Sequence, residues 1–108
     1  MLVSERKTWA LNQEELGELM GVSPDAIRHY ELGDRIPPLA RSLAFEIVFG
    51  RPLAQLFPEA LAEAASVLVD GAQNLSIEVE GKVDPASARK RTLLSAMNDR
   101  LGRIISLQ

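Results

Sequence analysis

The 108-residue chain has no cysteine, a single histidine and an aromatic content of only 5%. Without cysteine, disulfides and thiolate metal sites are excluded, and the composition suits a reducing compartment. One histidine cannot build a His/Cys metal cluster, and a Ser-His-Asp triad would have only His29 to draw on. No glycine-rich phosphate loop occurs. The carboxylates Glu14, Glu15 and Glu18 are explained by a solvated first helical turn. The chain is therefore read as no enzyme, with no metal and no cofactor. No run approaches the roughly 18 apolar residues a membrane span needs. The N-terminus also lacks a basic-then-apolar signal pattern, so a soluble cytoplasmic protein is expected.

An excess of basic charge is missing too. Lys and Arg number 12 against 15 Asp and Glu, a net charge of -3. Split at Pro58, the first part has 6 basic and 8 acidic residues and the second has 6 and 7. Neither part is a basic domain that would grip phosphate nonspecifically. Hydrophobic residues make up 46% of the chain, too many for a disordered polymer. With so few aromatics, the core must be Leu, Ala, Val and Ile, which suits packed helices.

What is present is concentrated between Leu11 and Pro38. Asn12 and Glu15 form a capping-box pattern, and Leu16, Leu19 and Met20 give one apolar face. Gly21 supplies the left-handed conformation of a helix end, and Val22 plugs the turn. Ser23 caps a second helix, and Pro24 sits at its first position, where a missing amide costs nothing. Ala26, Ile27 and Tyr30 are its inward face, and Gly33 ends it. Two short helices joined by a three- or four-residue turn containing Gly form a helix-turn-helix unit.

Gln13, Glu15, Leu16, Gly21, Val22, Ser23, Ile27, Tyr30, Glu31, Gly33 and Pro37 together resemble the helix-turn-helix domain of phage repressor and Cro proteins. The same group includes the bacterial regulators named after the xenobiotic response element. The run Leu39 to Pro58 is similar to that group's fourth and fifth helices, in a form closest to small phage or conjugative-element regulators. The resemblance implies an all-α fold: a five-helix domain over residues 1–58 whose second motif helix enters the major groove. It also implies a sequence-specific, DNA-binding transcriptional regulator, usually a repressor, acting as a homodimer on a two-fold symmetric operator in double-stranded DNA. The recognition positions here hold Pro24 and Asp25, where polar or basic residues are commoner.

On that docking, the outward face of the second helix carries Asp25, Arg28, His29 and Leu32. Arg28 is the strongest candidate for a base contact, because its planar fork matches the two acceptors of guanine. Asp25 has the chemistry to accept from a cytosine amino group, and His29 to donate to a base or a phosphate. Ser23 offers a hydroxyl and the helix N-terminus to a phosphate, and Arg35 a backbone contact. By resemblance, Gln13 touches phosphate or positions the following helix. Bland alternatives stand beside these. Arg28 and Asp25, three apart, also fit a mere surface ion pair. His29 fits an exposed helix residue without a role, and Ser23 is first of all a cap. Glu31 is expected to make an internal structural bond.

Around this unit, Leu2 to about Thr8 is a first helix contributing Leu2, Val3 and Trp9 to the core. Leu39, Leu43, Ile47 and Val48 make an inward stripe. Residues 59–108 are expected to form a helical hairpin and a dimerisation region. Leu61, Ala65, Leu68, Ala72, Leu75 and Val79 repeat at 4-3-4-3-4 spacing, a seam facing another helix. Leu75, Ile77 and Val79 also alternate as a half-buried strand would, but a lone strand has no partner, and helix to about Glu80 is expected. Asp84 caps the last helix, whose seam is Leu94, Met97, Leu101 and Ile104. Arg89, Lys90 and Arg91 crowd the start of that helix, an unfavourable place for the helix dipole. They are read as a solvated charge run, the alternative being a partner or DNA phosphates. Val67, Leu93 and Ile105 remain as an apolar strip for a second copy. The competing reading of the whole is an antitoxin-like or regulatory protein-interaction module that keeps the motif as scaffold.

Overall fold

The computed structural model describes residues 1–106, and these are helical with short connections. The order is α1 (Leu2–Thr8), α2 (Gln13–Met20), α3 (Pro24–Leu32), α4 (Leu39–Phe49), α5 (Leu53–Leu56), α6 (Pro58–Val79) and α7 (Pro85–Ser106). No strand occurs among the described residues, and the stretch from Leu75 to Val79 is helix. The chain divides into two compact units, Met1–Leu61 and the remainder from Ala62.

In the first unit, Leu2, Leu16, Met20, Ile27, Phe45, Phe49 and Leu56 form one buried cluster, with Leu11, Val22, Tyr30, Ala44 and Phe57 packed against it. Three expectations about the core are corrected. Trp9 is 63% exposed and Leu19 62%. Trp9 follows the last turn of α1 as its C-cap, and Leu19 lies beside rather than on the stripe of Leu16 and Met20. On α4 the expected inward stripe points outward: Leu39, Leu43, Ile47 and Val48 are exposed, while Phe45 is fully buried and Phe49 nearly so. This helix is apolar on almost every side, so spacing alone does not choose its face. The largest apolar surfaces gain most from burial. Phe45 meets Tyr30 edge-on at 6.0 Å and Phe57 at 5.7 Å, and stacks with Phe49 at 6.4 Å.

Charge fastens the same unit. Arg51 Nε donates to Glu5 Oε1 at 2.8 Å. The Glu46 carboxylate accepts from the Leu53 amide at 3.1 Å, capping α5, whose own N-cap residue Pro52 offers no side-chain acceptor.

In the second unit, α6 and α7 form a hairpin closed through Gly81, which has φ +74°. Asp84 accepts from the Ser87 hydroxyl at 2.7 Å and the Ser87 amide at 3.0 Å. The hydroxyl first, then the amide, hold its carboxyl below the ordinary value of 3.8. Ala72, Val79 and Leu94 are the buried centre, with Leu75 and Met97 against them. Leu101 is buried as well, whereas Leu68, expected in the seam, is 45% exposed. The buried positions of α6 recur every seven residues at Ala65, Ala72 and Val79, a narrow stripe that leaves Leu68 at its edge. Arg91 is not a freely solvated charge. Its Nη1 donates to the Val79 carbonyl at 2.8 Å, a second bond at the C-terminus of α6 on an oxygen that also accepts from the Lys82 amide at 3.2 Å.

Candidate nucleic-acid interface

The site is built by two caps and one anchored carboxylate. Asn12 Oδ1 accepts from the Glu15 amide at 2.7 Å, and Glu15 Oε1 accepts from the Asn12 amide at 3.0 Å. This reciprocal box fixes where α2 begins. At the far end Gly21 has φ 69° and its amide turns back onto Glu18 and Gly17. Gly17 was not legible as special. A Cβ there would stand 2.7 Å from the Val22 carbonyl oxygen, so its bare backbone lets the turn lie against α2. Ser23 Oγ then accepts from the Ala26 amide at 3.0 Å, starting α3, with Pro24 at the first turn. Gly33, at φ 79°, stops it.

The inner side of α3 is held by Glu31. Its carboxylate accepts from Arg6 Nε and Nη2 and from the Gln13 side-chain amide, the last at 2.8 Å. Arg6 Nη1 also donates to the Leu11 carbonyl at 2.8 Å. The side chains of Arg6 and Glu31 are 11% and 4% exposed. One carboxylate thus ties α1, α2 and α3 together. Gln13 is half-buried and spends its amide inside, so of its two expected roles the geometry shows an inward bond to α3. Arg6 was missed by sequence reasoning, since nothing local marks a partner 25 positions away.

The outer side of α3 carries a connected polar network. Arg28 Nη2 and Nε donate to Asp25 Oδ1 at 2.8 and 3.2 Å. His29 Nδ1 lies 2.8 and 3.0 Å from the two Asp34 oxygens, and its Nε2 lies 3.1 Å from Arg28 Nη2. A carboxylate only accepts and a guanidinium only donates. The ring therefore carries its proton on Nδ1 toward Asp34 and accepts on Nε2. Asp25 Oδ2 is 3.4 Å from the same Nε2. The Arg28 hydrogen bond, aided by the charges of Arg28 and Arg35, holds the Asp25 carboxyl below the ordinary 3.8. It stays ionised at neutral pH and offsets Arg28.

The structure thus brings the exposed Asp25 and Arg28 together with the half-buried His29 on one edge and adds Asp34, which sequence reasoning did not single out. Asp34 follows the Gly33 stop, where the left-handed turn folds the chain back toward His29. Arg35 and Pro24 are exposed, and Arg35 is not joined to the network by a salt bridge among the described residues. Among those residues no group of His, Asp and Glu is arranged to hold a metal ion. Among the described residues, no helix is long and apolar enough to cross a membrane.

Residues 10–56, somewhat under half of the chain, fit a family model described as helix-turn-helix. No curated protein and no solved structure matches the chain. The matched segment runs from the residue before Leu11 to the end of α5 and contains the caps, the turn and the whole outer network. Residues 10–56 are thus similar to a helix-turn-helix, a likeness that supports the broad group of phage repressor-like, DNA-binding transcription regulators.

Proposed function

We propose that the protein is a sequence-specific transcriptional repressor that binds a two-fold symmetric operator as a homodimer. The observation that carries this reading is α3 itself. It is capped at both ends, clamped from inside through Glu31, and exposed along Asp25 and Arg28, with the half-buried His29 beside them. A helix so held can lie in the major groove with its first turns against base edges. Arg28, Asp25, Pro24 and His29 face the bases in this docking. The Ser23 hydroxyl, whose oxygen already caps α3, retains a proton to donate to phosphate. Arg35 adds a backbone contact, and Gln13 sets the angle between α2 and α3.

The charge balance shapes the mechanism. On the outer edge Asp25 and Asp34 stand against Arg28 and Arg35, so one such face binds DNA weakly. Two faces joined in a dimer overcome this, because the second half-site is reached at high effective concentration. We assign residues 1–58 to DNA binding and the hairpin of residues 59–108 to dimerisation. Val67, Ile77, Leu93 and Ile105 are all more than half exposed, an apolar surface of the kind that marks an interface. Repression follows from occlusion of polymerase by the bound dimer, acting on cytoplasmic DNA.

The test is a fluorescence-anisotropy titration of the full chain against genomic fragments that include its own promoter, at several salt concentrations. A steep salt slope is expected, because backbone contacts dominate affinity. Residues 1–58 alone should sediment as a folded monomer with much weaker operator affinity. Tight, specific binding by a full-length monomer at tens of micromolar would refute the dimeric mechanism.

A further inference from the structure

We propose that Asp25 and Arg28 read a single G·C base pair as one joined unit, with His29 and Asp34 as positioning residues. This rests on the DNA-binding reading above and adds the class of base pair the site takes. Arg28 Nε and Nη2 are both turned onto Asp25 Oδ1, and the second Nη2 proton points at His29 Nε2. That leaves Nη1, with two N–H groups, without a hydrogen bond among the described residues. Asp25 Oδ2 faces only the unprotonated Nε2 of His29, at 3.4 Å, and keeps its lone pairs. The edge therefore presents a donor group from Arg28 beside an acceptor from Asp25.

A G·C pair shows the complementary order in the major groove: the guanine N7 and O6 acceptors, then the cytosine N4 amino donor. An A·T pair keeps only the purine N7 acceptor of this set. Its adenine N6 amino group opposes the Arg28 donors, and its thymine O4 opposes the Asp25 carboxylate. The pairing also removes the objection to an acid in the groove, since the charge of Asp25 is offset by Arg28 at 2.8 Å before DNA arrives. A lone arginine fork would use two nitrogens on guanine. Here two are committed to Asp25, so selectivity comes from the acid and the base acting together. Asp34 fixes the imidazole tautomer, and the imidazole fixes the second edge of the guanidinium. Neither need touch DNA.

The experiment is selection of duplexes from a randomised pool by the full-length protein, followed by anisotropy on the selected site. Wild type should enrich half-sites with one invariant G·C pair, and replacing it by A·T should weaken binding roughly 5- to 150-fold. Arg28→Ala and Asp25→Asn should each flatten the preference at that same pair. Asp34→Ala should reduce the preference, and Asp34→Asn, whose carbonyl still accepts from His29, should restore it. Because each variant is scored as a ratio between two duplexes, any loss of folded protein cancels. Preferences altered at two different base pairs, or indifference of wild type to the G·C pair, would overturn the inference while leaving DNA binding in place. Enrichment of no duplex at all would overturn both.

Discussion

The Arg6–Glu31 clamp is the feature whose loss should cost the first unit most. Arg6→Met removes the guanidinium and leaves the Glu31 carboxylate, 4% exposed, with only Gln13 as partner. It also takes the donor from the Leu11 carbonyl. Removing one partner of a buried ion pair costs about 3–5 kcal/mol, chiefly as an unpaired buried charge. A unit of this size has a total stability on the order of 3–9 kcal/mol, so the variant should sit near its unfolding midpoint at 25 °C. Replacing both partners by apolar residues, as in Arg6→Met with Glu31→Leu, should recover most of the loss, because no charge is then stranded. The assay is urea unfolding of the four members of this double-mutant cycle. Circular dichroism reads the helices, and the single tryptophan, Trp9, reads the end of α1 that carries Arg6. A loss below about 1 kcal/mol for Arg6→Met, the range of an exposed pair, would refute the assignment of a buried clamp. So would additivity of the two single changes.

Phe45→Ala should destabilise the first unit by about 3–5 kcal/mol, whereas Ile47→Ser, two residues on and 83% exposed, should change a urea midpoint by less than about 0.5 kcal/mol. Gly21→Ala should cost about 1–2 kcal/mol in the same measurement. No atom lies within 4 Å of the added Cβ, so the cost at φ +69° is that of the backbone alone. Asp84, with its carboxyl held below 3.8 by Ser87, contributes stability that is present above that value and lost as pH falls through the lowered one. Thermal melts should therefore show Asp84→Ala less stable than wild type at neutral pH, with the gap closing in strong acid. A gap that persisted there would mean the carboxylate charge is irrelevant to the cap.

The boundaries of α2 and α3 were readable because each end has a local chemical signal: Asn12 with Glu15, Gly21, Ser23 with Pro24, and Gly33. Local hydrogen bonds decide such signals, and they lie within three or four residues. The face of α4 was not readable in the same way. Leu39, Leu43 and Ile47 form as good a helical stripe as Phe45 and Phe49, and only the positions of Tyr30 and Phe57 decide between them. Leu68 was misplaced for a related reason, since heptad spacing locates a seam without fixing how wide the partner covers it. At the site, Asp25 and Arg28 were visible as neighbours on one face. The third and fourth members of their network depend on where the chain turns after Gly33. Arg6 with Glu31, and Arg91 with the Val79 carbonyl, are long-range bonds that no spacing rule describes. Arg91 looked like one more member of the solvated run at 89–91 because the Val79 carbonyl it serves belongs to another helix.

The inward anchoring of α3 has a consequence for how the protein changes over time. Glu31, Ile27 and the two glycine stops bind the helix to its own unit without help from Asp25, Arg28 or His29, which look outward. Substitutions at those three positions are therefore separated from the fold's stability, and a new base preference need not wait for a compensating change in the core. Retargeting by exchange of a few outward residues is open to this scaffold, in the laboratory as in evolution. The limit on it is electrical: with Asp34 fixed just past the helix, an exchange that removes Arg28 or His29 strands an acid beside the phosphates.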